Sequence, residues 1–185
     1  MRSALLVMDV QVARLQRFGT PELVAALKRA IAEARRQEVL VVFVRLGFRE
    51  RHPEVSPDNK LFAAIAAAGS NLDSDGGAAF DLELAPVAGD IVVTKRRVSA
   101  FTGSDLAQAL RGQRVTDLVL AGIATSGVVL STLTEAADLD YRIAVLSDAC
   151  VDADPELHRV LIEKYFPRMA EVLTVEEWAR QLGEI

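Results

Sequence analysis

The chain has 185 residues, 51% of them hydrophobic and 25% charged, with a formal net charge of -5 at pH 7. This length favours a single domain over residues 1–185 with its own core, and the absence of a basic cluster argues for a small-molecule ligand rather than nucleic acid. No apolar run reaches the roughly 18 residues that span a bilayer, so we expect a cytoplasmic protein with no membrane partner.

Apolar segments alternate with helical patterns along the whole chain. Buried strands are predicted at residues 4–10, 39–44, 91–95, 115–122, 142–147 and 170–173. Helices are predicted at residues 21–37, 60–68, 104–111, 126–139 and 155–166, and from Thr174 onward. A turn-rich segment at residues 71–79 is expected to be flexible. Together the pattern predicts a parallel sheet covered by helices on both faces, with right-handed crossovers.

Three polar features fall at the carboxyl ends of predicted strands, where ligands bind in such sheets. Asp9 ends the first strand, Lys95 ends the third, and a glycine-containing turn follows the fourth at Gly122. Asp9 is either a catalytic acid or base, or a structural carboxylate bonded to nearby amides. Lys95 either pairs with Asp9, binds an anionic substrate, or is a solvated lysine.

The turn after Gly122 belongs to the segment LVLAGIATSGVVLST at residues 118–132. A strand that passes directly into a helix start aims backbone N–H groups beyond the strand end, where they can hold an oxyanion or a carboxylate. The glycines alone do not form a dinucleotide-binding fingerprint and are equally consistent with a plain connection.

Nothing in the cysteine and histidine content calls for a metal, although it does not exclude one. The single cysteine, Cys150, excludes an internal disulfide and a multi-cysteine zinc site. The two histidines, His52 and His158, do not form a short-spaced ligand pair. We therefore predict no metal and no cofactor. A lone cysteine is more often a small buried residue than a nucleophile, and Cys150 is interpreted in that way.

Several motifs together resemble the isochorismatase-like hydrolase family. They are ALLVMDVQ at 4–11, VTK at 93–95, SAF at 99–101, AGIAT at 121–125, ST at 131–132 and DA at 148–149. The resemblance implies a three-layer α/β/α sandwich with a six-stranded parallel sheet of order 3-2-1-4-5-6, assembled as a homo-oligomer, a dimer or a tetramer. It also implies a non-proline cis peptide at Ile123–Ala124 and a pocket at the ends of strands one, three and four. Asp9 and Lys95 are then the catalytic residues, and the substrate-binding residues are Gln11, Phe101, Ala124, Thr125 and Val128.

One position departs from the family pattern. Many members hydrolyse amides with an Asp–Lys–Cys triad, whose cysteine lies six residues after the glycine, and Gly122 leads here to Val128. Valine cannot form a thioester, and neither Ser126 nor Ser131 has a histidine in the motif to activate it. Isochorismatases and related vinyl-ether hydrolases also lack this cysteine, usually having glycine, and need a positioned acid instead.

The resemblance therefore implies a hydrolase of a small, anionic substrate in which Asp9 and Lys95 act without a thiol nucleophile, with vinyl-ether hydrolysis favoured over amide hydrolysis. The alternatives are a catalytically inactive ligand-binding or assembly protein and, third, thiol chemistry at Cys150.

Overall fold

The computed structural model describes residues 2–74 and 79–183. Its strands are all parallel and form one sheet of order β3-β2-β1-β4-β5-β6, which confirms the predicted order. The strands are β1 Ser3–Met8, β2 Leu40–Leu46, β3 Ile91–Lys95, β4 Asp117–Ile123, β5 Arg142–Val151 and β6 Glu171–Leu173. The helices are α1 Val12–Phe18, α2 Pro21–Arg36, α3 Lys60–Ala67, α4 Leu106–Gly112, α5 Leu130–Asp138, α6 Pro155–Val160 and α7 Val175–Gly183. Shorter helical turns lie at Leu82–Leu84, Thr125–Val129, Leu161–Tyr165 and Phe166–Arg168.

The side chains of β1 alternate between two hydrophobic cores, one on each face of the sheet. Leu5 and Val7 pack with α2 and α7, whereas Leu6 and Met8 pack with α4 and α5. All four side chains are fully buried, which explains why the strand is continuously apolar rather than alternating. The two cores confirm the three-layer α/β/α arrangement.

Capping residues that are recognisable in the sequence determine where two of the helices that cover the sheet begin. Thr20 Oγ1 accepts a hydrogen bond from the Leu23 N–H at 3.3 Å, and Pro21 occupies the first helical position of α2. At the start of α7, the Glu177 N–H donates to Thr174 Oγ1 while Glu177 Oε2 accepts from the Thr174 N–H at 2.7 Å. This reciprocal pair is the predicted capping box.

The structure differs from the sequence pattern in three places. The seven-residue helix α1 is not predicted, because it has no side-chain cap and buries none of its residues. Strand β5 continues past residue 147 to Val151. Between Val145 and Cys150 it contains extra residues that bulge out of the pairing with β4, and pairing resumes at Gly122 and Cys150. The helix predicted from residue 126 begins as a π-helical turn, Thr125–Val129, with non-helical torsions at Gly127 (φ -98°, ψ -105°).

Residues 75–78 of the turn-rich segment predicted at 71–79 lie outside the described residues. Within the described ranges, no helix combines the length and apolar character needed to cross a membrane.

Candidate active site

A cavity of about 150 Å³ lies at the carboxyl ends of β1, β3 and β4. Strand-end residues, the turn after β4, α1 and α3 form its wall. The lining residues are Asp9, Arg14, Leu46, Leu61, Phe62, Ile65, Lys95, Val98, Ile123, Ala124, Gly127 and Val128. This is the edge of the sheet at which the sequence predicts a ligand site.

Asp9 and Lys95 form a buried ion pair in the cavity wall. Lys95 Nζ donates to Asp9 Oδ2 at 3.0 Å, and the side chains are only 2% and 4% exposed, respectively. Lys95 Nζ also donates to the carbonyl oxygens of Arg97 and Val98, both at 3.0 Å. Asp9 has a positive φ of 57°, and its N–H is bound to Val44 O at 2.8 Å, so its backbone is fixed where β1 ends.

The second carboxylate oxygen of Asp9 is buried and has no hydrogen-bond partner among the described residues. Leaving a buried polar atom unpaired costs about 1–3 kcal/mol. Because Asp9 lines the cavity, Oδ1 is an acceptor that a bound ligand or a water molecule in the cavity can satisfy. The carboxylate therefore has one oxygen bound by Lys95 and one oxygen without a partner among the described residues.

The turn that lines the cavity after β4 begins where β1 and β4 approach each other closely. Gly122 has a φ of +142°, and a Cβ at this position would lie 2.0 Å from Met8 O. Only glycine fits that space. The next peptide bond, Ile123–Ala124, is a non-proline cis bond, as predicted.

Val128 lines the cavity from the π-helical turn and is 2% exposed. No cysteine is among the residues that line the described cavity. The only cysteine of the chain, Cys150, lies in β5 with Sγ 4.0 Å from Leu120 O. Burial raises the pKa of the Cys150 thiol to about 12, so its reactive thiolate is scarce at neutral pH.

Three of the predicted substrate-binding residues lie outside the cavity wall. Gln11 binds the backbone of Leu46 twice, with its Nε2 on the carbonyl oxygen and its Oε1 on the N–H, both at 3.0 Å. Phe101 is buried and stacks on Tyr141 with ring centroids 6.0 Å apart. Thr125 is fully buried. The structure thus places Asp9, Lys95, Ala124 and Val128 in the cavity wall. It places Gln11, Phe101 and Thr125 outside that wall.

Thr125 and His158 join the π-helical turn to α6. Thr125 Oγ1 lies 2.8 Å from His158 Nδ1. Burial lowers the pKa of His158, and the negative charge of Asp152 partly offsets this effect. The pKa of Asp152 is itself lowered: burial opposes this, but hydrogen bonds dominate, including one from the Ser126 N–H at 2.6 Å. This cluster braces the turn without lining the cavity.

His52 also lies away from the cavity, with Nε2 2.8 Å from Ser70 O and its ring against Phe48. In residues 2–74 and 79–183, no group of three or more His, Cys, Asp or Glu residues is placed to hold a metal ion.

Arg14, the α3 side chains, Leu46 and Val98 are lining residues that the sequence patterns miss. Arg14 lies on α1, whose existence the pattern does not reveal. Leu61, Phe62 and Ile65 occupy one side of α3, and their spacing in the sequence predicts an apolar helix face but not what that face covers.

Comparisons with known proteins identify the family. The family model described as Isochorismatase domain matches residues 3–177, and the chain belongs to the isochorismatase family. It is 30% identical over 181 residues to the uncharacterized isochorismatase family protein YwoC of Bacillus subtilis (strain 168), covering 98% of this chain and 94% of that protein.

Some of the relatives carry names that state a reaction. The ureidoacrylate amidohydrolase RutB of Stutzerimonas stutzeri (strain A1501) is 34% identical over 178 residues, covering 83% of this chain and 71% of that protein. The crystal structure of N-carbamoylsarcosine amidase from Thermoplasma acidophilum has a TM-score of 0.78 and 26% identity, covering 96% of this chain and 98% of that one. Both relatives are named as amide hydrolases.

Proposed function

We propose that the chain is a hydrolase of a small anionic substrate in which Asp9 and Lys95 carry out acid–base chemistry without a thiol nucleophile. The observation that carries this proposal is the arrangement of Asp9, with Oδ2 held by Lys95 at 3.0 Å and Oδ1 unpaired at the cavity. A carboxyl group that has one oxygen held by a neighbour and the other oxygen without a partner is suited to transfer a proton.

Vinyl-ether hydrolysis is the reaction that suits this arrangement best. In the protonated form of the site, the Asp9 carboxyl group delivers its proton from Oδ1 to the enol carbon. Asp9 is then the carboxylate that pairs with Lys95, and the neighbouring carbon becomes an oxocarbenium ion. Water adds to that carbon and returns a proton to Asp9, after which the hemiketal separates into a ketone and an alcohol. Water can trap an oxocarbenium ion without a protein nucleophile, so Val128 in the cavity wall is no obstacle.

Hydrolysis of a ureido amide is the second candidate, and the names of two relatives favour it. Ureidoacrylate amidohydrolase and N-carbamoylsarcosine amidase act on carbamoyl compounds by their printed names. In this chain, the ionised Asp9 would activate water directly through Oδ1. Direct attack of water on an amide lacks the benefit of a covalent intermediate, which is why this candidate ranks second.

A substrate panel separates the candidates. Purified protein is incubated with small vinyl-ether carboxylates, ureido carboxylates and simple amides, and products are measured by mass spectrometry and ammonia release. We expect turnover of a vinyl ether, and a decrease of about 100-fold or more in Asp9→Asn. Turnover of ureido compounds instead would select the second candidate. Ligand-induced stabilisation without turnover of any class would refute hydrolysis and identify a binding protein.

The role of Val128 has its own test. We expect Val128→Cys to place a thiol in the cavity beside Asp9 and Lys95, so that the variant gains amide hydrolysis and is labelled by iodoacetamide. Val129→Cys is the matched control, because Val129 is the next residue in the turn and is buried but does not line the cavity. Amidase activity in neither variant would show that a thiol at position 128 does not complete a triad.

We also propose that the protein forms a homo-oligomer, a dimer or a tetramer. The support for this proposal is the membership of the chain in the isochorismatase family, whose members commonly assemble as oligomers. Light scattering coupled to size-exclusion chromatography measures the mass, and a monomer across the accessible concentration range would contradict the proposal.

A further inference from the structure

The ammonium group of Lys95 has no donor left for a ligand. An ammonium group has three N–H donors. Lys95 Nζ uses them on three oxygens at 3.0 Å each, Asp9 Oδ2 and the carbonyls of Arg97 and Val98. The side chain is 2% exposed, so a substrate cannot reach it without displacing one of these partners. The charge that attracts an anion into the cavity must come from another residue.

Arg14 is placed to supply that charge. It lies on α1, is half-buried, and lines the cavity together with Asp9 and Lys95. Its guanidinium makes no hydrogen bond or ion pair with any residue in the described part of the chain. Its neighbour Arg17 differs, because Arg17 is exposed, lies over the Phe18 ring at 4.9 Å and does not line the cavity.

The charges around the cavity sum to one excess positive charge. Asp9, Arg14 and Lys95 are the charged residues of the described wall, and with Asp9 ionised, the charges of the Asp9–Lys95 pair cancel. The other lining residues are apolar or glycine. Apolar surroundings strengthen an electrostatic attraction compared with water, and the planar guanidinium matches a carboxylate with two parallel hydrogen bonds.

The size of the cavity limits the ligand. A volume of about 150 Å³ is smaller than the roughly 300–1,000 Å³ of pockets that hold drug-sized ligands. That space suits a small monocarboxylate whose other end presents a hydrogen-bond donor or a proton acceptor to Asp9. A single carboxylate also matches the single excess positive charge.

We propose that Arg14 binds the substrate's carboxylate and restricts the site to small monocarboxylates that place their reactive end at Asp9 Oδ1. The inference rests on the proposed function for the identity of the reactive end. The carboxylate binds between the guanidinium of α1 and the apolar side chains of α3, and the scissile bond lies toward the Asp9–Lys95 pair.

Binding of a charged and an uncharged probe of the same shape tests the proposal without requiring turnover. The probes are N-carbamoylglycine and its primary amide, and a series of small monocarboxylates with their amides extends the comparison. Affinity is measured by isothermal titration calorimetry and by the ligand-induced increase in melting temperature, with each probe at up to about 10 mM. The proteins are the wild type, Arg14→Gln and the matched control Arg17→Gln.

The wild type is expected to bind the carboxylate about tenfold or more tightly than the amide. Arg14→Gln should lose this preference while keeping its affinity for the amide within about twofold, and Arg17→Gln should behave as the wild type. Arg14→Lys should keep part of the preference, because the charge remains and the two-point geometry does not.

The proposal is overturned if no carboxylate in the series stabilises the wild type more than it stabilises Arg14→Gln, or if Arg14→Gln keeps the full preference. Its failure is distinguishable from failure of the proposed function. Carboxylate binding that depends on Arg14 but leads to no turnover would contradict hydrolysis alone. Turnover of a carboxylate substrate with an unchanged kcat/KM in Arg14→Gln would contradict the role of Arg14 alone.

Discussion

His158 Nδ1 lies 2.8 Å from Thr125 Oγ1, so α6 holds the turn that carries Val128 into the cavity wall. The turn and the helix are separated by a long stretch of sequence, and β5 lies between them in the chain. The position of Val128 in the cavity wall therefore depends on a hydrogen bond between two residues that do not line the cavity.

This contact predicts a pH-dependent stability. Because burial lowers the pKa of His158, the folded protein keeps the imidazole neutral where the unfolded chain takes up a proton. The resulting stabilisation is fully present above the unfolded pKa of about 6.5 and is lost as the pH falls through the lower folded pKa. We expect the melting temperature to fall more between about pH 7 and pH 5 in the wild type than in His158→Asn.

Thermal unfolding monitored by circular dichroism across this range measures the difference. Asn is the appropriate replacement because its amide can hydrogen-bond Thr125 without titrating. The lowered pKa of Asp152 affects stability at lower pH, where carboxylates titrate. It therefore does not obscure the comparison of the wild type with His158→Asn. Parallel pH profiles for the two proteins would contradict a role for His158.

The buried Asp9–Lys95 pair predicts strong coupling between its members. Asp9→Asn or Lys95→Met should each lower the free energy of unfolding by about 3–5 kcal/mol, because each leaves a buried group without its ionic partner. The double variant should regain part of that loss while remaining inactive. Urea unfolding of the four proteins gives the coupling energy.

The Asp117–Arg142 pair serves as the comparison for this cycle. Its Nε and Oδ1 atoms are 2.5 Å apart, but its side chains are 23% and 56% exposed, respectively. Its coupling should therefore stay within about 1 kcal/mol. Equal coupling at both pairs would show that burial does not set the strength of the Asp9–Lys95 interaction.

Cys150 is expected to be inert in the folded protein. With a pKa raised to about 12 by burial, only about one thiol in 10,000 is ionised at pH 8. Iodoacetamide should label the chain slowly in buffer and rapidly in urea, as followed by mass spectrometry. Cys150→Ala should retain activity on whichever substrate the wild type turns over. Rapid labelling of the folded protein with loss of activity would instead support thiol chemistry at this residue.

Gly122 is expected to tolerate no side chain. Gly122→Ala places a Cβ 2.0 Å from Met8 O at a φ of +142°, and we expect a loss of about 3 kcal/mol or more in unfolding free energy. Gly112→Ala is the control, because no atom lies within 4 Å of its added Cβ at the end of α4. That variant should be as stable as the wild type or more stable by about 0.5–1 kcal/mol. A mild effect at Gly122 would mean that β1 and β4 can separate.

The features that the sequence predicts are the strands and helices that alternate along the chain and the contacts between residues close together in the chain. The sheet order follows from the family resemblance, and β3 Ile91–Lys95 matches the predicted bounds because its apolar run ends at a charged residue. The capping box at Thr174 and Glu177 is also local. Asp9 and Lys95 are predictable as strand-end residues, since parallel strands bring their carboxyl ends to one edge.

The remaining features depend on contacts between distant residues. Gln11 fits a binding motif, yet its amide holds the Leu46 backbone, a partner 35 positions away that no local pattern reveals. Arg14 lies in a short helix without a buried face, so periodicity gives no signal. Strand β5 extends to Val151 only because a bulge between Val145 and Cys150 realigns Cys150 with Gly122 of β4. The number of acceptors around Lys95 likewise depends on where residues 97 and 98 fold back.

The cavity has one half that resists change and one half that accommodates it. Asp9, Lys95 and Gly122 are each fixed by the backbone of a neighbouring strand or loop, so substitutions there disturb the sheet itself. The opposite wall comes from α3, in which Phe62 is the one buried residue, and Leu61 is 57% exposed. Changes in α3 can therefore resize the cavity at little expense to folding. Directed evolution toward longer carboxylates would have most freedom in this helix, while the proton-transfer pair stays untouched.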